Sequence, residues 1–191
     1  IIDWSLAFED KIKELAIFLK KYPHNEYAKF ISDSYRKSEE KRKLQNKYTK
    51  GKPFKDFSAM SIDGTTIKLG DIVAKNKYTL LEFWASWCGP CRGSFPHLKK
   101  AYKKYHKKGF EIFGLSLDEK EDAFKQASKE ENLPWINTVD YKAFDAVAPT
   151  AYGVTGIPYT VLIRQDGIIV GSGREIRDFA LDDILKELFE L

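Results

Sequence analysis

Two cysteines stand three residues apart, as Cys88-Gly89-Pro90-Cys91, and the chain of 191 residues has no others. A pair at that spacing can be redox-active, can supply two of the four ligands of a structural zinc, or can be two small buried residues. Zinc would need partners that the chain does not offer, because only His24, His97 and His106 remain and none falls at a spacing that completes a familiar site. Packing alone does not explain why the pair brackets Gly-Pro where an apolar run ends and a helical pattern begins. The redox reading does. At a helix N-terminus the unpaired N–H groups and the positive end of the dipole stabilise a thiolate. A thiol of ordinary pKa, ~8.5, is only a few per cent ionised at neutral pH, so such stabilisation makes thiolate a major species. Cys88 would then attack a disulfide and Cys91 would resolve the mixed intermediate. Pro90 lacks an N–H that the first helical turn could not use.

Glu82, six residues before Cys88, is the second candidate. It interrupts the apolar run Tyr78-Thr79-Leu80-Leu81 and Phe83-Trp84. In a strand covered on both faces its desolvation cost is large unless its pKa rises, and a raised pKa suits a proton shuttle for Cys91. On an edge strand the same side chain would face solvent, and both readings stand at this point.

The elements that must position these residues follow from periodicity. Tyr78 to Trp84 reads as a central buried strand that delivers the chain to the cysteines and to a helix over about residues 91–108. Phe110 to Leu117 predicts a second strand, Glu121 to Glu131 a second helix, and the order strand-helix-strand-helix implies a parallel pair with a right-handed crossover. Upstream, 57–61 and 65–69 flank Asp63-Gly64 as a β-hairpin. Downstream come a short strand at 136–139, a helix over 143–152, a hairpin of 159–164 with 168–172 around Gln165-Asp166-Gly167, and a C-terminal helix marked by Leu181, Ile184, Leu185 and Leu188. Ahead of all this, Phe8, Ile12, Leu15, Leu19 and Tyr22 give a helical stripe over 6–22. Pro23-His24-Asn25 breaks it, and a second helix runs over 26–48, nearly all charge beyond Ser38. Gly51-Lys52-Pro53 ends that helix and sets the boundary between a helical extension, 1–50, and an α/β domain, 51–191.

Composition agrees with a protein able to bury a core: 43% of residues are hydrophobic and 31% charged. No stretch nears the ~20 apolar residues of a membrane span. Ile1-Ile2-Asp3-Trp4 lacks the marks of a signal peptide, and the missing initiator Met suggests a processed or trimmed chain. The net charge is +4, and the excess lies wholly in residues 1–50, which carry 12 basic against 8 acidic side chains. So small a surplus argues against nucleic-acid binding.

Leu81-Glu82-Phe83-Trp84-Ala85-Ser86-Trp87-Cys88-Gly89-Pro90-Cys91 closely resembles the active-site strand and turn of thioredoxin, and Gly156-Ile157-Pro158 resembles its cis-proline loop. The resemblance covers about residues 52–191. Within the thioredoxin-like superfamily it is nearest the TlpA/ResA type of thiol-disulfide oxidoreductase, related to AhpC/TSA proteins, which shares the N-terminal β-hairpin and an insertion like that at about 119–150. The stretch at 108–118 is similar to cell-envelope members of the Bacteroidetes type. The fold implied is a thioredoxin-like three-layer α/β/α sandwich, preceded by the helical extension.

Carried onto this sequence, the resemblance makes Cys88 the nucleophile, Cys91 the buried resolving thiol and Glu82 the buried carboxylate. Pro158 would be cis, as the Gly-Ile-Pro context favours, and would present the Ile157 backbone to substrate, the alternative being an ordinary turn proline. Trp87, with Gly89 and Pro90, would meet the substrate, whereas Trp84 belongs to the core. Pro96 matches a helix-kinking proline. One departure stands out: the TlpA/ResA type commonly has Glu three residues after the second cysteine, and here that position is Ser94. His97 and His106 receive no catalytic role, and the lysines at 99, 100, 103, 104, 107 and 108 read as a solvated face.

The function expected is dithiol-disulfide exchange with protein disulfides, leaning toward reduction, with an upstream redox donor and no metal, flavin or nucleotide. A periplasmic or cell-envelope location follows from the resemblance alone. One rival is a thiol peroxidase, but Ala85 and Leu81 stand where that chemistry expects a hydroxyl residue and a proline. The other is an interaction protein that uses the scaffold for binding, with the N-terminal helices as a docking arm.

Overall fold

The structure, a computed structural model, describes residues 8–190, and it divides into two compact units between Lys43 and Leu44. Helix α1 (Phe8–Lys21) begins the first unit, and helix α2 (Glu26–Lys47) follows. Residues 6 and 7 of the expected first helix lie outside the described residues. Asn25 starts α2 by accepting the Ala28 N–H at 2.8 Å on its side chain, which satisfies one of the orphan donors of a helix start. Along α2, Lys29 pairs with Glu26, Arg36 with Asp33 and Arg42 with Glu39, each an exposed pair of small energetic value.

In the second unit the strands are β1 (Ser58–Ser61), β2 (Thr66–Lys68), β3 (Tyr78–Trp84), β4 (Phe110–Ser116), β5 (Ile136–Val139), β6 (Tyr159–Arg164) and β7 (Ile169–Ser172). They form one sheet in the order β2-β1-β5-β4-β3-β6-β7. The pairs β3/β4 and β4/β5 are parallel, as the strand-helix-strand order requires, and β6 runs antiparallel to β3. Strand β3 therefore has hydrogen-bonded neighbours on both sides. Asp63-Gly64 turns the β1/β2 hairpin with Gly64 at φ +87°, a conformation that a side chain would resist.

Helices cover both faces. They are α3 (Leu69–Lys75), α4 (Gly89–Tyr105), α5 (Glu121–Glu131), α6 (Val147–Tyr152) and α7 (Phe179–Glu190). Successive residues of a strand point to opposite faces, and β3 shows what each face meets. The Phe83 ring meets Tyr152 of α6, whereas the Trp84 ring meets Phe95 of α4 and Phe124 of α5. This is the three-layer thioredoxin-like sandwich.

The structure departs from the sequence reading at three elements. Leu69 does not extend the hairpin but opens α3, a helix too short for its period to register. The helix that carries the cysteines starts two residues early, at Gly89, and its last turn tightens into a 3₁₀ segment, His106–Lys108. The helix expected over 143–152 is broken at Ala146 into a 3₁₀ turn, Ala143–Asp145, and α6. Pro149 explains the break: a helix begun at Ala143 would need an N–H at 149 for the carbonyl four residues back, and a start at Val147 puts the proline in the first turn, where none is needed.

Candidate active site

The cysteines lie where the physics of a helix start is strongest. Cys88 is the N-cap of α4, and its Sγ accepts the Cys91 N–H at 3.2 Å. The two sulfurs are joined as a disulfide, with Cα atoms 5.3 Å apart. Both residues are buried, Cys91 completely. Gly89 and Pro90 are exposed beside them, and Pro90 occupies the first turn of α4.

A network of hydrogen bonds anchors the turn between β3 and α4. The Leu117 N–H donates to the Trp84 carbonyl at 2.8 Å and the Cys88 N–H to Ala85 O at 3.0 Å. Asp118, buried just beyond β4, accepts the Ser86 N–H at 2.9 Å, the Ser86 hydroxyl at 2.6 Å and the Ser116 hydroxyl at 2.7 Å. Below the turn, the Trp84 indole N–H donates to Asn137 Oδ1 at 3.0 Å, which fastens β3 to β5 across β4. Neither Asp118 nor Asn137 stands out in the sequence beyond the polar residues that end an apolar run, as in Ser116-Leu117-Asp118.

Glu82 pairs with Gly114 on β4 and Thr160 on β6 and is 1% exposed, so the edge-strand reading fails. Its Oε2 has no hydrogen-bond partner among the described residues. Burial drives its pKa well above the ordinary carboxylate value, with Arg177 opposing the rise and Asp178 adding to it. Arg177, another residue without a sequence signal, also donates to the Pro158 carbonyl at 3.3 Å.

The Ile157-Pro158 peptide is cis, and both residues are half-buried. Trp87 is 60% exposed and tilts over Phe144, with ring centroids 6.5 Å apart, whereas Trp84 is fully buried. Pro96 lies within α4. Ser94, where a second carboxylate was wanting, turns its hydroxyl back to the Cys91 carbonyl at 2.7 Å. The lysine face of α4 is partly engaged: Lys99 bonds the Glu131 carbonyl and Lys104 pairs with Glu190 at 2.8 Å. Among the described residues, no three His, Cys, Asp or Glu side chains converge where a metal could be held.

Residues 49–184 match the Redoxin family. The chain belongs to that family. Among Redoxin-family relatives, a thiol-disulfide oxidoreductase ResA of Bacillus thuringiensis subsp. konkukian is 32% identical over 140 residues, 72% of this chain and 78% of the relative. A thiol-disulfide oxidoreductase of Bacteroides fragilis superposes with a TM-score of 0.66 at 32% identity, covering 72% of this chain and 99% of its own. The thioredoxin domain of a thiol-disulfide oxidoreductase from Bacteroides vulgatus gives 0.67 at 28% identity, covering 73% and 97%. This chain is thus a TlpA/ResA-type thioredoxin-like protein.

Proposed function

We propose that this protein is a thiol-disulfide oxidoreductase that reduces protein disulfides through a mixed disulfide on Cys88. The observation that carries the reading is the position of Cys88: it caps α4 with its sulfur on an N–H of the first turn and is joined to Cys91 one turn on. On reduction, the same N–H and the helix dipole favour a thiolate on Cys88.

The cycle balances as two exchanges. The Cys88 thiolate attacks one sulfur of a substrate disulfide, which breaks with release of the other sulfur as a thiolate. Cys91 then gives its proton to the Glu82 carboxylate and attacks the Cys88 sulfur, the second substrate sulfur leaves, and the Cys88-Cys91 disulfide reforms. Two electrons pass to the substrate, and a dithiol donor upstream restores the reduced pair. The raised pKa of Glu82 makes its carboxylate a base strong enough to take a thiol proton. The dithiol is its own redox centre and the cycle calls for no metal or organic cofactor.

Substrate would lie along Trp87, Gly89 and Pro90, with the Ile157 backbone beside Pro158 offering strand-like hydrogen bonds. Arg177, held on the Pro158 carbonyl, supports that loop. In this reading residues 51–191 are the redox domain and 1–50 an extension. The reducing direction and a periplasmic or cell-envelope location follow from the resemblance to the TlpA/ResA type; among the described residues no helix is long and apolar enough to cross a membrane.

The test is trapping. Cys91→Ala accumulates disulfides between Cys88 and its protein partners, separable on a non-reducing gel and released by dithiothreitol. If the variant captures nothing while the unaltered protein still reduces insulin, resolution by Cys91 is refuted.

A further inference from the structure

The strand face that carries Glu82 looks into a small pocket between β3, α4 and the start of α7. Glu82, Ser94, His97, Thr160, Arg177 and Asp178 supply its polar lining, and its interior takes about one water molecule. Two buried polar atoms among the described residues of this lining lack a hydrogen-bond partner: Glu82 Oε2 and His97 Nε2. Such atoms are costly to leave unpaired in a protein interior, and a space the size of one water is where a partner for them would sit. The Ser94 hydroxyl proton is committed to the Cys91 carbonyl, which leaves the histidine as the exchangeable group that α4 supplies to this lining.

Beyond His97 lies solvent. Asp182 Oδ2 of α7 stands 3.3 Å from Nε2, off the direction of a hydrogen bond. That aspartate is 48% exposed at its side chain, and the His97 ring is 22% exposed although its Nε2 is not. The remaining charged groups facing this route are Arg177 and Asp178, which act on Glu82 in opposite senses. An imidazole can take a proton on one ring nitrogen and release one from the other.

We propose that His97 is the positioning residue through which Glu82 exchanges its proton with solvent, by way of one water in the pocket. The inference rests on the reading of Glu82 as the base for Cys91. Before resolution the Glu82 O–H breaks as the water takes that proton and passes one of its own to His97 Nε2, and the imidazolium releases a proton from Nδ1 to solvent. In the resolving step the Cys91 S–H breaks and the Glu82 O–H forms again. No electron moves along this path.

Reduced protein mixed with an aromatic disulfide such as Ellman's reagent separates the steps: the first thiolate released reports attack by Cys88, the second reports attack by Cys91. Followed from pH 5 to 9, His97→Gln and His97→Phe should leave the first release unchanged and slow the second by about tenfold, and His97→Gln should flatten the pH profile of the second. Second releases at the unaltered rate and pH profile in both variants, with Glu82→Gln slow, overturn the relay and leave the Glu82 reading standing. An unaltered second release in Glu82→Gln overturns both. Equal slowing of both releases by the His97 variants also contradicts the proposal, because a path to Glu82 touches only the step of Cys91.

Discussion

A carboxyl group buried in the middle of a seven-stranded sheet is a liability to folding that the chemistry turns to use. Glu82 sits between two paired strands with one oxygen unpartnered among the described residues, and its pKa is raised chiefly because burial penalises the charged form. A raised folded-state pKa means that the stability contributed by the neutral acid is whole below the unfolded value, ~4.3, and is lost as the pH rises through the folded one. Glu82→Gln should therefore match the unaltered protein in stability at acid pH. Above pH ~4.3 it should gain on it by about 1.4 kcal/mol per pH unit until the folded carboxyl ionises, and then hold a constant lead. Urea unfolding across pH checks this, and parallel stability curves for the two proteins contradict it. At this scale the sequence was most informative. The cysteines, Glu82 and Pro158 declare themselves because each breaks a local pattern: a polar residue in an apolar run, or a proline after Gly-Ile. His97, Arg177 and Asp178 break none, and their closeness to Glu82 is made only by folding.

The element that matters most is the turn from β3 into α4, since it decides where the Cys88 sulfur sits relative to the first helical N–H groups. Asp118, just beyond the neighbouring strand, holds that turn with two hydrogen bonds accepted from Ser86 and takes a third from Ser116. Asp118→Ala would leave the Ser86 N–H without its acceptor and should destabilise the protein by about 3 kcal/mol, with Asp118→Asn intermediate because it keeps one acceptor oxygen. Denaturant midpoints at unchanged m-value measure it, and a loss below about 0.5 kcal/mol shows that the network does not hold the turn. Strand β3 and helix α5 were legible to the residue because a buried run and an amphipathic stripe are strong, local signals. Helix α3 was not, since Leu69, Ile72 and Val73 in seven residues give too little periodicity to separate from a hairpin end. The break at Ala146 was hidden for a different reason: Pro149 reads as compatible with a helix until its first turn is located.

On the scale of the whole molecule, every residue assigned to the redox site lies in the unit that begins at Leu44. The segment after α2 belongs to that unit as well: Tyr48 packs on Tyr152 with ring centroids 5.0 Å apart, the Gly51 N–H donates to Ile169 O at 2.8 Å, and Pro53 bridges Ile168. A chain beginning at residue 44 should then fold alone and reduce insulin within about twofold of the full protein. A loss of activity in a folded truncation would assign residues before 44 a part in the chemistry. The sequence boundary at 51–53 followed Gly and Pro, which mark where a helix must stop, whereas long-range contacts from Tyr48 onward leave no mark on local composition. The whole cycle depends on the acidity of the Cys88 sulfur. Its most direct measurement is the rate of alkylation of Cys88 by iodoacetamide in the reduced protein as a function of pH. The account predicts a midpoint clearly below the ~8.5 of an ordinary thiol, followed by return to the Cys88-Cys91 disulfide on oxidation; a midpoint at or above that value would contradict it.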